Sequence, residues 1–221
     1  EVLSNDVCSL RPNEDKFTFS AVFELDEDAK IHKQWFGRTV IHSDRRFSYE
    51  EAQERIETQE GDLTAEILQL DKLAKILRAE RIRNGAITFD RSEVRFNLDE
   101  NNKPIGVYFK VSKDSNHLIE EFMLLANRKV SEFVSLNKRK EPTGNTFIYR
   151  IHDDPDPAKL TALRDFVGTF GYKMDLANTQ TVAQSLNRLL SDVKGKGEEN
   201  MIETLAMRSM SKAVYSTSPI G

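Results

Sequence analysis

The sequence predicts an α+β fold: a mixed or antiparallel sheet of hairpins packed with several long helices, and a helical C-terminal part. Three observations carry this. Residues 17–25 alternate with period two, residues 63–83 and 115–136 repeat apolar side chains at helical spacing, and the strand-like segments come mainly early while the helices come mainly late. A doubly wound fold would alternate strand and helix throughout. One unit is expected over 1–221, with 1–150 a mixed α/β core and 151–221 mainly helical.

In FTFSAVFEL, Phe17, Phe19, Ala21, Phe23 and Leu25 fall on one face, the pattern of a half-buried strand. Asp26, Glu27 and Asp28 make a polar turn, and residues 30–43 read as the return strand with Gly37 as a candidate bulge. Ser48 opens a helix and Glu51, three residues on, completes a capping box. Gly61 breaks that helix. A second helix runs from about Leu63 to Arg83, and Gly85 sits where a C-terminal cap belongs.

Short strands are expected near 86–90, 94–98 and 105–111, the last two joined by a turn at Asn101–Pro104. A long helix from about Ser115 to Leu136 follows, then a strand at 147–151. Helices are expected at 157–169, with Pro157 in the first turn, at 179–193, and at 198–215. Gly195 and Gly197 form the joint between the last two.

Hydrophobic residues make up 38% and charged residues 31%, a globular composition with enough apolar material for a core. No apolar run approaches the ~18 residues of a membrane span. The N-terminus has neither a signal-peptide pattern nor an initiator Met, so the chain reads as a piece of something longer. Cys8 is the only cysteine, which excludes an internal disulfide or multi-cysteine zinc framework and points to a reducing, cytoplasmic setting. Against 32 basic residues stand 36 acidic ones, a net charge of −4 that rules out a polycation but not a local basic groove.

The densest polar cluster is His152, Asp153, Asp154 and Asp156. Such donors suit magnesium, but a helix start explains them more simply: Asp156 caps, Pro157 follows, and acidic side chains favour the helix dipole. Scattered histidines and a lone cysteine give nucleophilic catalysis little support. With no GxGxxG or GxxxxGK[ST], a phosphate loop has none. Lys72, Lys75, Arg78, Arg81 and Arg83 on the second helix, and Lys138, Arg139 and Lys140 after the long one, are either solvated faces or a groove for a phosphate backbone. A groove for single strands also needs aromatic platforms. Tyr49 and Phe89 lie outside the strongest apolar stripes and are candidates, with core packing the competing role.

Seven blocks, in order, resemble the catalytic (RNB) domain of the ribonuclease II/ribonuclease R family, nearest its bacterial ribonuclease R branch: VCSLRP (7–12), WFGRTVI (35–41), FSYEEAQ (47–53), NGAITF (84–89), IEEFMLLAN (119–127), RIHDDPDP (150–157) and MIETLAMRSMSKAVYST (201–217). The resemblance implies a magnesium-dependent, processive, hydrolytic 3′→5′ exoribonuclease that degrades single-stranded RNA to nucleoside 5′-monophosphates. It also implies that Tyr49 and Phe89 stack on the 3′-terminal nucleotides and that Glu120 contacts the RNA sugar, with Glu121 the neighbour if the alignment slips by one. The family's metal-binding aspartates fall upstream of the segment matching residues 1–12. Its Ser-Pro-Ile-Arg-Arg motif is absent: the ending Tyr215 to Gly221 either runs to the family's next Ile-Gly, or Ser218, Pro219 and Ile220 begin that motif without its arginine.

By resemblance, then, no catalytic residue and no metal ligand is expected within this chain. Magnesium and the flanking cold-shock and S1 RNA-binding domains belong to the parent protein, and the fragment supplies an RNA clamp and little nuclease activity of its own. The alternative expectation is a non-catalytic RNA-binding module of a degenerate family member.

Overall fold

The computed structural model describes residues 2–89, 93–137 and 139–218. The fold is α+β, with three antiparallel two-stranded sheets and six α-helices among these residues. The chain divides into two units, one of residues 1–78 and 93–133, the other of residues 79–92 and 134–221.

In the first unit, β1 (Asp15–Leu25) and β2 (Ile31–His42) form the expected hairpin. Asp26 closes its turn, with Oδ1 accepting from the backbone N–H of Asp28 (3.0 Å) and Lys30 (2.9 Å). The bulge is at Glu24/Leu25, not at Gly37, which pairs in register with Ser20. Gly37 serves a different purpose: the Trp35 ring lies across it, where any Cβ would collide with the indole.

The apolar stripe of β1 is only half covered. Phe23 and Leu25 pack with Ile31 against a core of Ala29, Leu73, Leu77 and Leu125, and Phe36 stacks 4.9 Å from Phe133. Phe17 and Phe19, expected on a buried face, are 92% and 74% exposed. Among the described residues the helices supply apolar partners to the turn-proximal half of the ribbon.

The helices of this unit are α1 (Tyr49–Thr58), α2 (Thr64–Arg83, whose last turn belongs to the second unit) and α3 (Asp114–Ser135, likewise shared at its end). Strands β3 (Glu93–Leu98) and β4 (Pro104–Lys110) pair as a hairpin in which Val94 faces Phe109 and Phe96 faces Val107. All four side chains are more than half exposed, an apolar sheet face of the kind that marks an interaction surface.

The second unit contains β5 (Tyr149–Ile151), α4 (Pro157–Gly168), α5 (Thr179–Val193), α6 (Glu199–Ser209) and β6 (Val214–Ser216). Leu160, Leu163, Val167, Leu186, Leu189, Val193, Ile202 and Ala206 form its core. Asp156 caps α4 by accepting from Ala158 and Lys159, with Pro157 at the first helical position. Gly85, at φ +97°, ends α2, and the Ala86 N–H reaches back to the Arg81 carbonyl at 3.1 Å.

Two expectations are corrected here. The described part of the expected strand at 86–90, residues 86–89, forms no strand and joins no sheet. Asn187 of α5 takes the place of a neighbouring strand: its Oδ1 accepts from the Thr88 N–H at 3.0 Å and its Nδ2 donates to the Ala86 carbonyl at 2.8 Å. The last helix stops at Ser209 instead of reaching 215, and Val214–Ser216 pairs with β5. β-branched and aromatic side chains suit that short ladder, and β5 gains a partner for its backbone. Asp90, Lys138, Pro219, Ile220 and Gly221, which entered the sequence reading, lie outside the described residues.

Candidate functional site

Tyr49 is the first residue of α1, and the chain entering it is tightly fixed. Ser48 accepts from the Glu51 N–H (3.1 Å) while the Glu51 carboxylate accepts from the Ser48 N–H (2.8 Å), the capping box predicted from sequence. Arg45 bonds Glu51 and Asp62, each at 3.0 Å, and its guanidinium lies 4.4 Å from the centre of the Phe47 ring. Arg55 holds the other oxygen of Asp62 at 2.7 Å. On this braced entry Tyr49 is 42% exposed, and the Lys110 ammonium stands 5.8 Å from the centre of its ring. An exposed ring at a fixed helix start, with a cation beside it, has the attributes of a platform for a base and its phosphate.

The bonds from Arg55 and then Arg45 lower the Asp62 pKa to about 2. A depressed carboxylate contributes stability that is complete above its ordinary value, near 3.8, and is lost as pH falls through about 2. Acid unfolding followed by circular dichroism between pH 5 and roughly pH 1.5 is expected to show this loss, and Asp62→Asn is expected to flatten the curve over that window. Identical acid profiles would refute the bracing role.

Polar contacts tie the three helices of this unit together. Gln53 of α1, buried, accepts from the Ser115 N–H at the start of α3 (3.0 Å), and Lys113 reaches Glu57 of α1 at 3.2 Å. From α2, Lys75 bridges Asp71 (2.7 Å) and Asp114 (2.9 Å), while Arg78 reaches Glu120 (3.6 Å) and Glu121 (3.5 Å). Lys72 pairs with Glu27 at 3.3 Å. Three of the basic residues read as a possible phosphate groove therefore face carboxylates, which favours the solvated, ion-paired face.

The structure separates the two adjacent glutamates. The Glu121 side chain is 2% exposed and the Glu120 side chain 44%, so only Glu120 presents its carboxylate to solvent. Phe89 belongs to the second unit, where it is half-buried, packed with Ile87 against the core through the segment held by Asn187.

In the acidic cluster, Asp156 is occupied as the α4 cap, the Asp154 carbonyl accepts from Ser211, and His152 lies 3.1 Å from Arg150. Among the described residues no group of three or more His, Cys, Asp or Glu side chains could hold a metal ion. The donors described here thus do not fit a magnesium site.

A family model described as the RNB domain matches residues 1–221. The chain belongs to the RNB domain family. It is 33% identical over 230 residues to DIS3-like exonuclease 2 of Schizosaccharomyces pombe, covering 97% of this chain and 24% of that protein. It is 30% identical over 227 residues to ribonuclease R of Aquifex aeolicus, covering 100% of this chain and 31% of that protein. The RNB chain thus spans a quarter to a third of these relatives' length. Its fold matches Mycoplasma genitalium ribonuclease R, solved in complex with double-stranded RNA, with a TM-score of 0.83 at 26% identity over 99% of this chain and 39% of that one.

Sequence reasoning missed two features of the RNB chain. Arg78 lay within a basic run whose partners were unassigned, and Lys110 ended an apolar strand with nothing to connect it to Tyr49. No local spacing signals either pairing, since both depend on how distant segments pack.

Proposed function

We propose that this chain is the RNA-holding part of a 3′→5′ exoribonuclease that degrades single-stranded RNA processively to nucleoside 5′-monophosphates. Tyr49 stacks on a nucleotide near the 3′ end, Phe89 is a second stacking ring, and Glu120 accepts a hydrogen bond from a ribose hydroxyl. The observation that carries the reading is Tyr49: half-exposed, at a helix start held by a capping box and three arginine–carboxylate bonds, with an ammonium beside its ring. Aromatic faces accept any base, which suits degradation without sequence preference. A carboxylate paired to a 2′-hydroxyl distinguishes RNA from DNA.

Membership of a family whose members include ribonuclease R and DIS3-like exonuclease 2 supports the exonuclease assignment. In this reading the magnesium ligands, the transition-state arginine, and the cold-shock and S1 domains belong to other parts of a cytoplasmic parent protein. Titration with labelled single-stranded oligoribonucleotides of different base composition tests it, together with an assay for mononucleotide release. The expected result is binding that varies little with composition and, from this chain alone, little or no release. Absence of binding would remove the clamp, and robust magnesium-dependent release would place the ligands within these residues.

A further inference from the structure

We infer that Arg78 is a positioning residue that aims the Glu120 carboxylate and thereby sets the preference for RNA over DNA. The inference rests on the reading of Glu120 as the ribose-facing group. Successive residues of a helix point about 100° apart, so Glu120 and Glu121 cannot face the same way. One side chain is buried at 2% exposure, the other 44% exposed, yet the same Arg78 nitrogen lies 3.5 Å from Glu121 and 3.6 Å from Glu120.

The Arg78 side chain is itself only 16% exposed, at the border between interior and solvent. Each contact has a distinct consequence. A buried carboxylate requires a charged or hydrogen-bonding partner, so the Glu121 contact anchors the guanidinium from the inside. Arginine stays protonated, and its planar fork holds a fixed direction that a flexible ammonium does not. The outer contact then helps to restrain the Glu120 carboxylate.

The same charge solves an electrostatic problem. A bare carboxylate beside a phosphate backbone repels it, and the nearby guanidinium weakens that field. An ionised carboxylate only accepts hydrogen bonds. The ribose 2′-hydroxyl can donate to it, and deoxyribose leaves it without that donor. Loss of Arg78 therefore affects discrimination between sugars more than it affects nucleic-acid affinity as a whole.

The test measures Kd on the 221-residue chain for matched labelled oligoribonucleotide and oligodeoxyribonucleotide, and takes their ratio. A purely structural role would weaken both affinities alike and leave the ratio unmoved. Glu120→Ala is expected to lower the RNA preference about tenfold, the scale of a hydrogen bond to a charged group. Arg78→Met combined with Glu121→Gln removes the fork without stranding a buried charge, and is expected to match Glu120→Ala within about twofold. Adding Glu120→Ala to that pair is expected to cause no further loss, the signature of residues acting as one unit.

Arg78→Lys keeps the charge but not the fork and is expected to lose about threefold. It carries the test if the double variant fails to fold by thermal melt. An unchanged ratio in a folded Arg78 variant, alongside a reduced ratio in Glu120→Ala, overturns the positioning role and leaves the ribose reading standing. An unchanged ratio in Glu120→Ala overturns both.

Discussion

Replacing Tyr49 by alanine is expected to weaken binding of a single-stranded oligoribonucleotide by about 1–3 kcal/mol, the measured range for one stacked base. That corresponds to roughly 5- to 150-fold in Kd. The substitution isolates the ring. Tyr49 occupies the first position of α1, whose cap is made by Ser48 and Glu51, so alanine leaves helix initiation intact. Tyr49→Phe keeps a π-face and is expected to retain most of the affinity.

Lys110 supplies a second signature at the same place. With its ammonium 5.8 Å from the ring, it is suited to the phosphate of a stacked nucleotide. Lys110→Gln is then expected to reduce the slope of log Kd against log salt by about 0.7, the single-strand value for one phosphate contact. Fluorescence anisotropy at fixed ionic strength measures both effects. Tyr49→Ala binding as tightly as the original chain would remove the ring from the interface.

The largest stability effect is expected in the second unit. Leu186 of α5 is fully buried among Leu163, Val167, Leu189 and Ile202. Truncation to alanine loses the transfer free energy of the deleted carbons and leaves a cavity that the surrounding helices fill only in part. The expected cost is about 2–5 kcal/mol. Met201→Ala, at a position 44% exposed, is expected to stay within about 0.5 kcal/mol of the original. Urea unfolding compares the midpoints at constant m. Because Phe89 and Ile87 lean on the same core, Leu186→Ala is also expected to loosen the segment bearing Phe89, read as faster amide exchange at Thr88. An Leu186→Ala midpoint equal to that of Met201→Ala would contradict this account of the core.

Much of the helical architecture was legible in advance because its signals are local. The Ser48–Glu51 box, the Asp156–Pro157 start and the Gly85 stop each depend on groups within a few residues of one another, and all three appear as expected. The failures share one cause. The Phe17–Leu25 stripe showed which face of β1 is apolar but not how far along it the helices reach, and Phe17 and Phe19 are left exposed. Residues 86–89 have the composition of a strand, but a single side chain 99 residues away satisfies Thr88. The stretch 198–215 reads as one helix until the pairing of Val214–Ser216 with β5 claims its end.

The candidate site divides in the same way. The sequence by itself determined the residue types and the family: the ordered blocks, the aromatic at a helix start, and a pair of adjacent glutamates on a long helix. Only the tertiary structure decided which glutamate meets solvent, that Arg78 reaches toward both, and that Lys110 stands beside Tyr49. The reason is range: capping and periodicity act within a turn or two of chain, whereas burial and charge pairing are set by segments that meet only once the helices have packed.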